Sequence, residues 1–198
     1  MNAAAPDLAG LVAARICHDL TSPLGAIGNG VELAQMGGAA GEEMELIAQS
    51  AASAAARMRL FRLAFGPAER GQAVAPAEIR AALGDPPRAG RVEVDWRAPG
   101  ALDRAEARLA ILLLMCFETA MPYGGGAEVS RDGASWTLRG TAARMRHEPA
   151  LWDALSGAGA PVAVAPAQVQ FPLAAATAAR MGRTLSVEVS EGALAVRF

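Results

Sequence analysis

The first third of the chain carries two long stripes of apolar side chains at helical spacing, separated by a short glycine-rich segment. From residue 6 to residue 35 the apolar positions recur every three or four residues, which predicts one long amphipathic helix: Leu8, Val12, Ile16, Leu20, Leu24, Ile27, Val31 and Ala34. Glycines between residues 37 and 41 end this helix, and a second stripe follows from Ile47 to Phe65. Two long helices with so short a connection are expected to form an antiparallel hairpin.

A hairpin of two helices has too small a core to be stable by itself, because helices gain most of their stability from packing. Both stripes are wide and rich in alanine, so each helix can pack closely on more than one side. The simplest way to cover them is a symmetric dimer in which two hairpins form a four-helix bundle. We therefore predict that residues 1–66 are a helical dimerisation domain. Residues 67–76, which contain several glycines and prolines, are predicted to be a linker.

Residues 77–198 have a different pattern, which is typical of an α+β domain. A very apolar stretch within residues 101–121 and a helical pattern within residues 168–181 predict two helices, after a short helix at 76–83. Segments with alternating apolar residues predict strands at 92–96, 127–130, 136–139, 185–189 and 193–198. We expect these elements to form a sandwich in which helices cover one mixed sheet.

Composition and charge exclude several classes of function. The chain has 198 residues, 53% of them hydrophobic, and a formal net charge of -2, which argues against a disordered protein and against one that coats nucleic acid. Its two cysteines cannot build a disulfide framework or a four-ligand zinc site, which favours a reducing compartment. No apolar run reaches the ~18 residues of a membrane span, and the N-terminus lacks the basic start of a signal peptide. We therefore expect a cytoplasmic protein without a membrane partner.

One histidine, His18, lies on the first helix outside the apolar stripe, so helix packing gives no reason for a histidine there. Ile16 and Leu20 each lie two residues away, about 200° around the helix, so His18 is expected to face solvent. The carboxylate of Asp19 can hold one ring nitrogen as N–H and leave the other unprotonated and nucleophilic. Pro23 removes one backbone hydrogen bond inside the helix and predicts a kink. These features favour attack on phosphorus; a merely exposed histidine beside a solvated aspartate is the alternative.

The segment from His18 to Leu24, His-Asp-Leu-Thr-Ser-Pro-Leu, resembles the phosphoacceptor box of sensor histidine kinases, His-Glu-Leu-x-x-Pro-Leu. The helical hairpin resembles their dimerisation and histidine-phosphotransfer domain. Residues 116–129 are similar to the kinase Asn box, and residues 178–189 resemble the closing helix and strands of the kinase ATPase domain. The resemblance covers nearly the whole chain and implies that residues 77–198 have the GHKL, or Bergerat, fold of that domain.

Three departures from the kinase pattern concern the nucleotide site. Cys116 replaces the Asn that binds magnesium and triphosphate in kinases, and neither the Asp-x-Gly-x-Gly motif nor the Gly-x-Gly lid motif is present. These losses remove the metal ligand, the adenine contact and the backbone amides that cradle phosphate. A kinase-like chain with a good histidine box and no ATP site is most similar to the alphaproteobacterial histidine phosphotransferases of the ChpT type. The resemblance implies that the chain needs no cofactor and that magnesium is held by the partner receiver domain.

In that family a dimer relays phosphate from the receiver domain of a hybrid histidine kinase to response regulators that control the cell cycle. The resemblance implies that His18 accepts the phosphoryl group from a receiver aspartyl phosphate and passes it to the Asp of another receiver. Two alternatives stay open: an ATP-dependent kinase with a divergent site, and a non-enzymatic docking or dimerisation module whose histidine is incidental.

Two further groups of residues are candidates for contact with a receiver. Small side chains continue the face of His18 along the first helix, and we expect a partner helix to approach there, although the Ala- and Gly-rich composition is an alternative cause: Ser22, Gly25, Ala26 and Asn29. In an antiparallel hairpin the position level with His18 is about residue 60, close to three arginines: Arg57, Arg59 and Arg62. These can steady a phosphoryl group or meet an acidic partner face, or they can simply compensate the helix dipole.

Overall fold

The computed structural model describes residues 7–37, 41–69, 71–84, 92–160 and 162–198. Its N-terminal part consists of two long helices that pack against each other, α1 (Leu8–Gly37) and α2 (Gly41–Phe65). The connection between them, residues 38–40, lies outside the described residues. Glu42 and Glu43 lie in the first turn of α2 and Arg62 in its last turn, where each charge is favourable to the helix dipole. No helix of the described residues is long and apolar enough to cross a membrane.

The C-terminal part combines short helices with strands. In chain order, with a 3-10 helix at Pro166–Gln168, the elements are β1 (Ala73–Val74), α3 (Pro76–Leu83), β2 (Val92–Trp96), β3 (Leu102–Asp103), α4 (Arg104–Ala120), β4 (Gly125–Asp132), β5 (Ser135–Thr141), α5 (Pro149–Ser156), α6 (Gln170–Arg180), β6 (Ser186–Ser190) and β7 (Ala193–Arg197). Five strands form one sheet in the order β2-β4-β5-β7-β6. Only the β2–β4 pair is parallel, so the sheet is mixed. A helical N-terminal part followed by a helix-covered mixed sheet is therefore confirmed.

Helix α4 is the centre of the core. The very apolar stretch from Leu109 to Phe117 is buried throughout, because this helix lies between the sheet and the other helices. On β5, Gly140 allows the sheet to approach α4 closely, since a Cβ atom there would lie 2.8 Å from the Phe117 ring. Trp136, also on β5, is fully buried and stacks on Phe198 with 5.6 Å between ring centroids.

Three strands or α-helices were not predicted from the sequence patterns: β1, α5, and β3, which occupies the start of the helix predicted within residues 101–121, so that α4 begins only at Arg104. Strand β1 lies within residues 67–76, the predicted linker, and pairs with β3 in a separate two-stranded sheet, with Val74 fully buried. Its partner is about thirty residues away in the chain, so no local pattern indicates the pairing. Helix α5 begins with Pro149 and is followed by Gly157, which has a positive φ of 78°. Both are ordinary helix boundary residues, so a local signal for α5 was present.

The end of α2 is anchored in the C-terminal part. Its last turns are largely buried, and they pack against α3 and α4. The guanidinium of Arg104 donates to the carbonyl of Arg62 at 2.7 Å, and that of Arg108 donates to the carbonyl of Gly66 at 3.2 Å. Two α4 arginines thus bind carbonyls at the C-terminal end of α2, where positive charge is favourable to the helix dipole. This anchoring holds the hairpin against the C-terminal domain.

Candidate functional site

The imidazole of His18 projects from the middle of α1 into solvent. Its side chain is 84% exposed, and its Nδ1 lies 3.1 Å from Oδ1 of Asp19. A carboxylate can only accept a hydrogen bond, so in the neutral ring the proton is on Nδ1. Nε2 is then unprotonated, with its lone pair available for attack on an electrophile.

Asp19, in contrast to His18, is largely buried. Only 10% of its side chain is exposed, because α2 and the side chain of Arg15 cover it. Its Oδ2 accepts from Nε of Arg15 at 2.8 Å and lies 2.8 Å from Nη2 of Arg57. One carboxylate oxygen is therefore held by two guanidinium groups, while the other is left for His18.

The surroundings of Asp19 also determine its charge. Burial by itself would raise the pKa of this carboxyl, but hydrogen bonds from Arg15 and His18 and the charges of Arg15 and Arg57 outweigh it and lower the pKa. Asp19 is consequently ionised at neutral pH. An ionised acceptor at this place both orients the imidazole and can stabilise positive charge on the ring.

Of the three candidate arginines, the structure brings only Arg57 to the site. Besides Asp19, Arg57 reaches Oε2 of Glu118 on α4 at 3.4 Å, and its guanidinium lies 5.4 Å from the centroid of the Phe61 ring. Arg62 forms an ion pair with Glu78 on α3 at 3.2 Å, away from His18. Arg59 is exposed and lines an apolar groove with Met58 and Phe65, among others. At 100° per residue on α2, only one of the three can point at α1 beside Asp19.

The small residues that follow His18 on α1 form an open surface. Ser22, Gly25 and Asn29 are exposed, and Ala26 is half-buried. A Cβ atom placed on Gly25 would meet no atom within 4 Å beyond its chain neighbours and the backbone of its own helix. The surface that another helix would have to approach is therefore free of this chain's own side chains.

Three residues of the site were missed by sequence reasoning: Arg15, Glu118 and Gln170, whose Oε1 lies 3.5 Å from Nη1 of Arg15. Arg15 stands four residues before Asp19, a spacing at which opposite charges meet on a helix, so a signal for this pair was present. Glu118 and Gln170 belong to α4 and α6, far from His18 in the chain. Their proximity to the hairpin follows from tertiary packing alone.

Cys116, which the sequence resemblance aligns with the Asn of the kinase box, is part of the core. Cys116 is fully buried on α4, and burial raises the pKa of its thiol well above the ordinary value. The thiol is therefore protonated at neutral pH and serves as a packing residue. Within the described ranges, no group of three or more His, Cys, Asp or Glu side chains could hold a metal ion.

Comparison with known proteins places the chain in a family. The sequence model of the histidine phosphotransferase C-terminal domain matches residues 76–193. Protein phosphotransferase ChpT of Brucella abortus (strain 2308) is 36% identical over 130 residues, which span 65% of this chain and 62% of that protein, less than two thirds of its length. A solved bacterial phosphotransferase superposes with a TM-score of 0.79 at 26% identity, covering 100% of this chain and 98% of the other.

These matches confirm the family resemblance drawn from the motifs, and the solved structure extends it over the whole chain. The family match alone covers more than half of the chain and includes α3 to β6. The chain therefore belongs to the histidine phosphotransferase C-terminal domain family and is similar to its ChpT-type members.

Proposed function

We propose that this protein is a histidine phosphotransferase of a phosphorelay. His18 accepts a phosphoryl group from the aspartyl phosphate of one receiver domain and passes it to the aspartate of another. The main observation behind this proposal is the contrast between His18 and Asp19. The imidazole of His18 is exposed to solvent, whereas the Asp19 carboxylate that holds its Nδ1 is largely buried and ionised. The family membership and the phosphotransferase names of the similar proteins support it.

The geometry suggests a direct exchange of the phosphoryl group. The Nε2 lone pair attacks phosphorus, the bond from phosphorus to the receiver's aspartyl oxygen breaks, and the receiver carboxylate leaves with the electron pair. The ring, now phosphorylated on Nε2 and protonated on Nδ1, carries positive charge that Asp19 stabilises. In the second half-reaction a carboxylate oxygen of another receiver attacks phosphorus and the P–N bond breaks, which restores the neutral ring.

The proposed partners are receiver domains of a hybrid histidine kinase and of response regulators, including regulators of the cell cycle. We place their docking surface on the exposed face of α1 beside His18: Ser22, Gly25, Ala26 and Asn29. Magnesium comes with the acidic residues of the receiver. Both cysteines are free thiols, which suits the cytoplasm as the proposed location.

The experiment that tests this proposal is a transfer assay with a receiver domain phosphorylated on its aspartate. We expect label to move to this protein and then to a second, unphosphorylated receiver. The labelled bond should be acid-labile and base-stable, because it is a phosphoramidate and not a serine or threonine ester. Label that survives acid would contradict transfer through a histidine.

We further propose that the C-terminal domain does not bind ATP. This property distinguishes a phosphotransferase from an ATP-dependent kinase with a divergent nucleotide site. Cys116 is buried and protonated, so it cannot supply the magnesium ligand of the kinase Asn box. We expect calorimetry with ATP and magnesium to detect no binding at micromolar nucleotide. Micromolar affinity would favour the kinase alternative.

The hairpin is proposed to pair with a second copy as a four-helix bundle. In the single chain, several of its large apolar side chains are 40% exposed or more: Leu24, Val31, Leu33, Met36, Met44, Leu46 and Met58. Covering such a long apolar surface is the usual reason why a hairpin dimerises. We expect light scattering at micromolar concentration to give about twice the 20.3 kDa mass of the chain; a monomer would contradict the bundle.

A further inference from the structure

Arg15 is a buried charged residue in the contact between α1 and the C-terminal domain. Only 8% of its surface is exposed. Its guanidinium donates from Nε to Asp19 at 2.8 Å and from Nη1 to the carbonyl of Ala167 at 2.6 Å. Burying a guanidinium is costly unless its charge is paired and its N–H groups are bonded. Arg15 meets that requirement by joining the carboxylate beside the phosphoacceptor to the backbone that precedes α6.

Gln170, the first residue of α6, completes this connection and is itself fully buried. Its amide nitrogen faces three acceptors: the hydroxyl of Thr119 at 2.8 Å and the carbonyls of Ala167 at 3.0 Å and Met115 at 3.4 Å. Because an amide nitrogen can only donate, these acceptors determine which way the amide is turned. Its oxygen Oε1 is thereby directed at Nη1 of Arg15, 3.5 Å away.

We propose that Gln170 and Arg15 are a pair of positioning residues through which the C-terminal domain orients the Asp19 carboxylate toward Nδ1 of His18. The proposal rests on the proposed function in one respect, the choice of His18 as phosphoacceptor. It gives the C-terminal domain, which has Cys116 in place of the Asn of the kinase box, an indirect part in the chemistry. The domain acts through a buried side-chain contact and without a nucleotide.

The division of contacts on the carboxylate shows how this positioning works. Oδ2 of Asp19 is held by Arg15 on α1 and by Arg57 on α2, while Oδ1 contacts His18. Two guanidinium groups on one oxygen fix the rotation of the carboxylate, and the rotation decides where Oδ1 points. If the Gln170 amide is removed, Nη1 of Arg15 keeps the carbonyl of Ala167 but loses its buried side-chain acceptor, so the guanidinium is held less firmly. Oδ1 is then less firmly held against Nδ1, and the preference of the ring for the Nδ1–H tautomer weakens.

Two measurements on the full chain test the pair without any receiver. The first is the tautomer of His18 from 15N chemical shifts of histidine-labelled protein, in which only two rings give signals. The second is the rate at which potassium phosphoramidate phosphorylates His18. In that reaction the P–N bond of the donor breaks, ammonia leaves, and a P–Nε2 bond forms.

We compare Gln170→Met, which keeps the length of the side chain but removes the amide, with Arg15→Lys, which keeps the charge but removes the planar fork. The matched control for the first is Thr177→Val, because Thr177 is a buried polar residue of α6 whose hydroxyl donates to Leu173 on its own helix. The matched control for the second is Arg108→Lys, because Arg108 also joins the hairpin to α4 but does not touch Asp19.

We expect both positioning variants to lose the preference for the Nδ1–H tautomer and to be phosphorylated about tenfold more slowly than their controls. A residue that served only to hold the domains together would lower the melting temperature and leave the tautomer unchanged. Wild-type tautomer and wild-type labelling rate in folded Gln170→Met would overturn the proposal. If Gln170→Met does not fold, the same result in Arg15→Lys would overturn it.

The test of Arg15 and Gln170 can fail or succeed independently of the proposed phosphotransfer function. If the wild-type protein takes no phosphate from any receiver, the relay is contradicted, whereas the tautomer measurement still decides on Arg15 and Gln170. If transfer from receivers occurs but the tautomer is insensitive to both variants, the relay stands and the positioning pair is wrong.

Discussion

Replacing His18 by alanine should reduce phosphorylation by a phosphorylated receiver to background. The imidazole supplies the attacking lone pair, and no other side chain of the described residues joins an exposed ring to a buried carboxylate in this way. The fold should be retained, because 84% of the His18 side chain is in solvent and Asp19 keeps its contacts with Arg15 and Arg57. We expect the free energy of unfolding to change by no more than about 0.5 kcal/mol.

The chain contains its own control for this variant, since it has one other histidine. His147 is exposed in the loop before α5, and within the described part of the chain no carboxylate contacts its ring. His147→Ala should therefore be labelled at the wild-type rate. Label that persists in His18→Ala, or that disappears in His147→Ala, would show that the phosphoacceptor has been wrongly assigned. Circular dichroism and light scattering on both variants exclude a loss of fold or assembly as the cause.

Placing a tryptophan at Gly25 should slow phosphotransfer from a receiver by about a hundredfold or more, because a small displacement of reacting groups has effects of that size. Gly25 lies two turns beyond His18 on the proposed docking surface. A Cβ there meets no atom beyond its chain neighbours and the backbone of its own helix, so the indole would project into the space that the partner needs. The side chain should not disturb the hairpin itself, and replacing glycine inside a helix favours the helix.

In Gly25→Trp, labelling by potassium phosphoramidate distinguishes a defect in receiver docking from a loss of His18 reactivity. Because this small donor needs no docking surface, Gly25→Trp should be labelled on His18 at the wild-type rate. Ala81→Trp is the matched control, since Ala81 is exposed on α3, outside the proposed docking surface. Normal transfer from a receiver to Gly25→Trp, with the dimer intact, would mean that the receiver docks elsewhere.

Much of the fold could be predicted from local patterns. Both long helices, α3, α4 and all five strands of the main sheet were indicated by periodicity and by turn residues, because these signals arise between residues close in the chain. Strand β1 was not predicted because it is only two residues long and because its partner, β3, is distant in the chain. α6 begins later than predicted, at Gln170, because the 3-10 helix at Pro166–Gln168 precedes it.

For the candidate site, the sequence alone determined the identity of His18 and Asp19 and the direction in which His18 points, because helical geometry relates it to Ile16 and Leu20. Only the tertiary structure decided that Asp19 is buried, that Arg57 and not Arg59 or Arg62 contacts it, and that Gln170 lies behind Arg15. The physical reason is distance along the chain. A periodicity describes one helix and its faces, whereas the charge and orientation of Asp19 depend on groups up to about 150 residues away. These groups are brought together by the packing of α1 against α2 and against the 3-10 helix at Pro166–Gln168.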